Sequence, residues 1–142
     1  MKVHKKLIMN LNYMREVNLK DLLGRDEVKL DRDGIADYLT GKTVLVTGAG
    51  GSIGSEISRQ IATFKPKKLI LLDIYENNIY DIQNELSRKM PEINKNIVIA
   101  SVRDRSRMEQ IFHKYRPQVV FHAAAHKHVP LMEDNPSEAI KK

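Results

Sequence analysis

The chain contains no cysteine. Disulfide bridges and thiolate metal sites are thereby excluded, and a reducing compartment is compatible with the composition. No apolar run approaches the roughly 20 residues that a membrane span needs. The first residues also lack the apolar core of a secretory signal. The chain itself is therefore expected to be cytoplasmic. Acidic residues are in deficit, 18 against 24 lysines and arginines, which gives a formal net charge of +6. The basic residues are nonetheless scattered among acidic ones, and the densest basic stretch, Lys65–Lys68, is broken by Pro66. That pattern argues against a nucleic-acid partner and suits a solvated surface that favours an anionic ligand. What remains is an ordinary globular balance, 42% apolar and 30% charged over 142 residues, long enough for one domain with a real core.

Residues 1–40 read as an arm or linker. Met1–Leu11 is basic and apolar without a clear period. Arg15–Arg25 suggests a short helix ending near Gly24, and Asp33–Leu39 suggests another, with Asp33 as N-cap and Gly41 just past its end. From residue 41 to 142 the pattern becomes regular. Thr43–Thr47 and Leu69–Leu72 are continuous apolar and β-branched runs, the signature of strands buried on both faces. Ile97–Val102 and Val119–Ala124 read as a third and a fourth strand. Ile53, Ile57 and Ile61 mark one face of a helix, as do Ile79, Ile82, Leu86 and Met90. Ser106 and Glu109 form a capping box for a further helix with Met108, Ile111, Phe112 and Tyr115 inward. Another helix is expected from Pro130. Strands alternating with helices specify an α/β fold: a partial, Rossmann-type, three-layer parallel sheet of four strands in the order 3-2-1-4, preceded by the short helical arm. The carboxyl end of the first strand then lies at the topological switch point, where such sheets bind ligands.

The turn at that point reads Thr47-Gly48-Ala49-Gly50-Gly51-Ser52-Ile53-Gly54. The six-residue glycine fingerprint fails, because Ile53 stands where its third glycine belongs. The wider spacing, with glycine at 48, 51 and 54, fits. Gly48 permits the tight turn, Gly51 lets the backbone approach a pyrophosphate, and Gly54 permits close packing at the helix start. Free N–H groups at that helix start face the diphosphate. A P-loop is excluded, since no Lys-Ser/Thr pair closes the turn. Asp73 ends the second strand nineteen residues after Gly54, where an acid accepts hydrogen bonds from the adenosine ribose. Its charge repels a 2′-phosphate, and Ile74, Tyr75 and Glu76 supply no cation, so NAD is favoured over NADP. Asp73 and Glu76 also have the spacing of a helix cap, and both roles stay open.

His122, His126 and His128 lack the further ligands and the geometry for zinc, so no metal is expected. His122 reads as a packed polar residue at a strand end. His126, Lys127 and His128 fall on the loop after the fourth strand, at the ligand-binding edge of the sheet. Tyr38 and Lys42 match a Tyr-x-x-x-Lys pair in spacing only, because Gly41 should end the helix between them.

The strings GKTVLVTGAGGSIGSE (Gly41–Glu56), KKLILLD (Lys67–Asp73) and VVFHAAAHKHVPLMEDNPSEAI (Val119–Ile140) resemble a branch of the extended short-chain dehydrogenase/reductases. That branch comprises the nucleotide-sugar 4,6-dehydratases of polysaccharide biosynthesis, which act on UDP-N-acetylglucosamine-like substrates. The resemblance covers about residues 12–142 and implies a role for each matching residue. Gly48, Gly51, Ser52, Ile53 and Gly54 would hold the pyrophosphate and Asp73 the ribose. Ser101 and Val102 would edge the adenine. Ala123, Ala124 and Ala125 would line the cofactor toward its nicotinamide, with His126, Lys127 and His128 near the substrate. Ser101 stands where many extended relatives carry Asp. The family's acid/base motif, its Tyr- or Met-x-x-x-Lys pair and its sugar-binding lobe follow the last of these strings and have no counterpart here. The expectation is the cofactor-binding N-terminal part of such an enzyme, inactive alone, with no catalytic residue of its own. A stand-alone dinucleotide-binding or assembly module completed by another polypeptide is the alternative, and a homo-oligomer stays open. The UDP-sugar would belong to the complete enzyme. REVNLKDLLGR (Arg15–Arg25) resembles the segment before the catalytic domain in membrane-anchored members, so membrane attachment would require an upstream anchor not seen in this sequence.

Overall fold

The structure, a computed structural model, describes residues 31–126 and 129–140. The helix expected over Arg15–Arg25 lies outside them. Four strands, β1 (Thr43–Thr47), β2 (Lys68–Asp73), β3 (Lys95–Ile99) and β4 (Val119–His122), form one sheet in the order β3-β2-β1-β4. All three pairings are parallel, with Val44 beside Leu69 and Val119, and Leu71 beside Ile97. The helices are α1 (Arg32–Leu39), α2 (Ser52–Thr63), α3 (Glu76–Lys89), α4 (Arg105–Tyr115), α5 (Val129–Glu133) and α6 (Pro136–Ile140). Among the described residues, no helix is long and apolar enough to cross a membrane.

Alternate residues of each strand point to opposite faces, and the two faces build two cores. Val44, Val46, Leu69 and Leu71 meet Leu39 of α1, Ile61 and Ala62 of α2, and Ile79, Ile82 and Leu86 of α3. Leu45, Ile70, Leu72 and Val98 meet Ile111 of α4, with Met108 and Tyr115 against them. Coverage on both faces is why β1 and β2 are apolar without alternation. The two covered faces make the three layers expected from the sequence, and the pairings give the expected strand order 3-2-1-4. The compact unit begins at Arg32, so α1 is part of it, whereas the sequence pattern set the boundary at residue 40.

Several local expectations are corrected. The third strand starts and ends earlier than the apolar run 97–102, since an edge strand pairs through its backbone whatever side chains it carries. The fourth ends at His122. Asp104, not Ser106, caps α4: its carboxylate accepts from the Arg107 N–H, 3.0 Å away. Glu109 instead pairs with Arg105 at 2.9 Å. Phe112 is exposed, not inward. On α2 the buried residues are Gly54, Ser58, Ile61 and Ala62, so Ile53 lies in solvent. The helix expected from Pro130 is two short ones. Pro136 has no N–H to give and disfavours a helical Asn135 before it, so the first helix stops and α6 starts at the proline.

Candidate functional site

The glycine turn joins β1 to α2 and is pinned from three sides. The Ala49 N–H donates to the Leu72 carbonyl of β2 at 3.0 Å, and the Gly51 N–H donates to the Gly48 carbonyl at 3.0 Å. The Gly50 N–H donates to Asp73 Oδ2 at 2.8 Å. Gly48 has φ +67, and a Cβ there would lie 2.7 Å from the backbone of Ala123 and Ala124. Only glycine combines that conformation with that approach. A Cβ on Gly54 would stand 2.0 Å from the Gly48 carbonyl oxygen, so the first turn of α2 packs on the glycine turn itself.

Gly51 differs. It is the N-cap of α2, with extended backbone and no side chain to cap the helix. A Cβ there would meet a single protein atom within 4 Å, the Gly48 carbonyl oxygen at 3.3 Å. That contact is tight but far milder than those at Gly48 and Gly54, and the bare backbone leaves open space on its cavity side. The first N–H groups of α2, on Ser52, Ile53 and Gly54, have no partner within the helix by its geometry. The first turn carries no acidic residue, so its positive end is not neutralised.

A cavity of about 420 Å³ opens at the carboxyl ends of the strands. Of the residues singled out from sequence, it brings together Gly48, Gly51, Asp73, Ser101, Val102, Ala123, Ala124, Ala125 and His126. Ser52, Ile53 and Gly54 lie at the helix start and do not line it. Lys127 and His128 lie outside the described residues. Asp73 is almost wholly buried at the end of β2. Its carboxylate accepts from Gly50 N at 2.8 Å and from Tyr75 N at 3.0 Å. It forms no capping box with Glu76, because the N-cap of α3 is Tyr75, without a side-chain cap bond. Asp73 instead ties the glycine turn to the exit of β2.

Sequence reasoning missed Tyr75, Asn78 and Arg103, which also line the cavity. Arg103 matters most, since Ile74, Tyr75 and Glu76, which follow Asp73 in sequence, supply no cation. It arrives from the loop after β3, which strand order places beside the end of β2, and the two residues are far apart in sequence. Its guanidinium is paired with Glu138 of α6 at 3.2 Å. The signal was its place just past the third strand. His122 is exposed rather than packed, and its Nδ1 lies 2.7 Å from Thr47 Oγ1, across the β4–β1 pair.

A second cavity, of about 140 Å³, lies between α2 and α3 behind Gly50. Arg59 lines it and bonds Glu85 at 2.8 Å and Glu56 at 3.2 Å, while Lys89 holds the other Glu85 oxygen at 2.6 Å. The hydrogen bonds from Arg59 and Lys89 lower the Glu85 pKa to about 2. Those from Gln60 and Arg59 lower that of Glu56, and the bond to Glu85 raises that of Arg59. This network staples the two helices that back the turn.

Comparison with known proteins places this geometry. A family described as polysaccharide biosynthesis protein matches residues 44–142. The chain is 56% identical over 132 residues to the probable polysaccharide biosynthesis protein EpsC of Bacillus subtilis, covering 90% of this chain and 22% of that one. It is 35% identical over 102 residues to a UDP-N-acetylglucosamine 4,6-dehydratase (inverting) of Campylobacter jejuni, covering 71% and 29%. Among solved structures it is similar to the UDP-glucose-4-epimerase from Stenotrophomonas maltophila with bound NAD and formylated UDP-arabinopyranose. There the identity is 26% and the TM-score 0.61, over 70% of this chain and 29% of that one. The chain thus spans less than a third of each of these relatives.

Proposed function

The chain belongs to the polysaccharide biosynthesis protein family, and on that premise we propose that it is the NAD-binding N-terminal part of a nucleotide-sugar 4,6-dehydratase. The observation that carries the reading is Gly51, whose open side faces the cavity at an uncapped helix start. A diphosphate fits there, against the N–H groups of Ser52, Ile53 and Gly54. The sheet order then orients the rest. Asp73, at the end of β2, takes the adenosine ribose, and Ser101 and Val102 past β3 edge the base. Ala123–Ala125, past β4 on the other side of β1, lead toward the nicotinamide, with His126, Lys127 and His128 beyond. Bound NAD would supply a hydride acceptor for the sugar.

The residues of this chain bind and orient the cofactor but do not by themselves carry dehydration. Removing water across adjacent sugar carbons needs an acid and a base within hydrogen-bond reach of their protons. Among the described residues that line the cavity, the ionisable ones are Asp73, Tyr75, Arg103 and His126. The first three stand on the adenosine side, which leaves His126 and its loop. The unpaired edge of β4, among the described residues, favours completion by further strands, whichever polypeptide carries them.

Isothermal titration with NAD, followed by incubation with NAD and UDP-N-acetylglucosamine, tests the reading. Saturable NAD binding without loss of water from the sugar nucleotide, read by mass spectrometry, is expected. Absence of NAD binding at millimolar concentration would remove the cofactor assignment. Enzyme-dependent water loss would show that the loop after β4 carries catalysis.

A further inference from the structure

We propose that Ser101 makes the base subsite indifferent to the exocyclic group of the purine, so that the chain accepts a hypoxanthine dinucleotide nearly as well as an adenine one. The inference rests on the dinucleotide reading above. β3 flanks β2 on the side away from β1. A dinucleotide with its diphosphate at the glycine turn and its ribose at Asp73 therefore rests its base against Ala100–Arg103, which line that end of the cavity. The side chains of Ala100 and Val102 there are apolar. The Arg103 guanidinium is engaged with Glu138. Ser101 is the neutral polar side chain of that wall.

The loop itself determines what Ser101 can offer. The Arg103 N–H donates to Ser101 Oγ at 3.2 Å, which occupies one lone pair. A serine hydroxyl has two lone pairs and one rotatable proton. One acceptor site and one donor remain, and rotation exchanges which of them faces the base. An exocyclic amine can donate to the free lone pair, and an exocyclic carbonyl can accept the proton. The nearby carboxylates do not override this choice. Asp73 is held by Gly50 and Tyr75, and Asp104 is turned to the Arg107 N–H as the cap of α4.

The test compares NAD with nicotinamide hypoxanthine dinucleotide by isothermal titration of the full chain and of two variants. An aspartate at 101 can still accept from the Arg103 N–H in an Asx turn, but it is an acceptor only. The unmodified chain should bind the two dinucleotides within about threefold, because Ser101 forms one neutral hydrogen bond with either exocyclic group. The difference at ring N1, bare in adenine and protonated in hypoxanthine, is shared by all the variants and cancels when their ratios are compared. Ser101→Asp should favour the amine by on the order of tenfold or more, since a hydrogen bond to a charged group is gained and the carbonyl is repelled. Ser101→Asn, whose Oδ1 takes the Arg103 N–H and leaves its amide NH2 as a donor toward the base, should shift the ratio toward the carbonyl, opposite to Ser101→Asp, and so separates hydrogen-bond chemistry from bulk. Preference for adenine of about tenfold in the unmodified chain, or a Ser101→Asp ratio equal to the parent's, overturns the inference while leaving NAD binding intact. Failure of both dinucleotides to bind overturns it together with the reading beneath it.

Discussion

Replacing Gly51 by Val should separate binding from folding, whereas replacing Gly54 by Ala should not. At 51 the backbone is extended, φ −73 and ψ 167, which any residue adopts. The added Cβ touches only the Gly48 carbonyl oxygen at 3.3 Å. The fold then loses little more than the N-cap preference for glycine, about 1 kcal/mol. The new methyls occupy the space left for the diphosphate. If two charge-assisted hydrogen bonds are lost at roughly 1.5–3 kcal/mol each, the dissociation constant for NAD rises by about 100-fold or more. At 54 the Cβ would sit 2.0 Å from the Gly48 oxygen and 2.6 Å from its carbon. The obstruction is backbone, so the turn must move, and overpacking of this kind costs about 1–3 kcal/mol or more. Titration with NAD beside thermal unfolding reads both quantities. Gly51→Val should melt within a few degrees of the parent and bind poorly; Gly54→Ala should melt clearly lower. A Gly51→Val chain that binds NAD within about threefold of the parent would refute the diphosphate placement. A Gly54→Ala chain that melts with the parent would refute the packing argument.

NADP should bind at least about tenfold more weakly than NAD, because Asp73 meets the extra phosphate while Arg103 is held by Glu138. Equal dissociation constants at one ionic strength would reject this, and Glu138→Gln should narrow the gap by releasing the arginine. Glu85 has its pKa lowered from 4.5 to about 2. Its contribution to stability is therefore complete above the ordinary carboxylate range and is lost as the pH falls toward about 2. Glu85→Gln should flatten the acid limb of a plot of urea midpoint against pH, and an unchanged limb would count against the network. Among the described residues β4 lies at the edge of the sheet, with Val120 exposed, and such an edge invites strand pairing between chains. Val120→Lys should raise the monomer fraction in sedimentation, and a parent chain that is monomeric at every concentration would contradict this.

The parts of the fold legible in the sequence are those where burial alone dictates residue type. Val44–Val46 and Leu69–Leu72 have both faces covered, so their side chains announce the strands. β3 begins at Lys95 and Asn96, which are only half-buried at a sheet edge. Their pairing is made by backbone groups that every residue carries, and no side-chain pattern marks it. The cap of α4 falls on Asp104 rather than Ser106 for a similar reason. Asp104 and Ser106 are both good caps, and only the geometry of the loop after β3 decides that the aspartate reaches the Arg107 N–H. Arg103, Asn78 and Tyr75 enter the cavity through strand order, which joins residues that sequence spacing keeps apart.

The glycine turn shows why a motif string carries less than it seems to. Its glycines at 48, 51 and 54 are equivalent as letters and unlike in structure. Gly48 and Gly54 are demanded by the chain, one by a positive φ against Ala123 and the other by the Gly48 carbonyl at its face. Asp73 belongs with them, since its two hydrogen bonds close the turn before any ligand arrives. A structural turn with no ligand would need all three. It would need Gly51 far less, since a Cβ there meets one atom, the Gly48 carbonyl oxygen at 3.3 Å. It would not need a neutral, rotatable hydroxyl at Ser101, since an aspartate could accept the same Arg103 N–H. Function is therefore to be sought at the positions the fold leaves free, and the substitutions that test it best are those the fold tolerates.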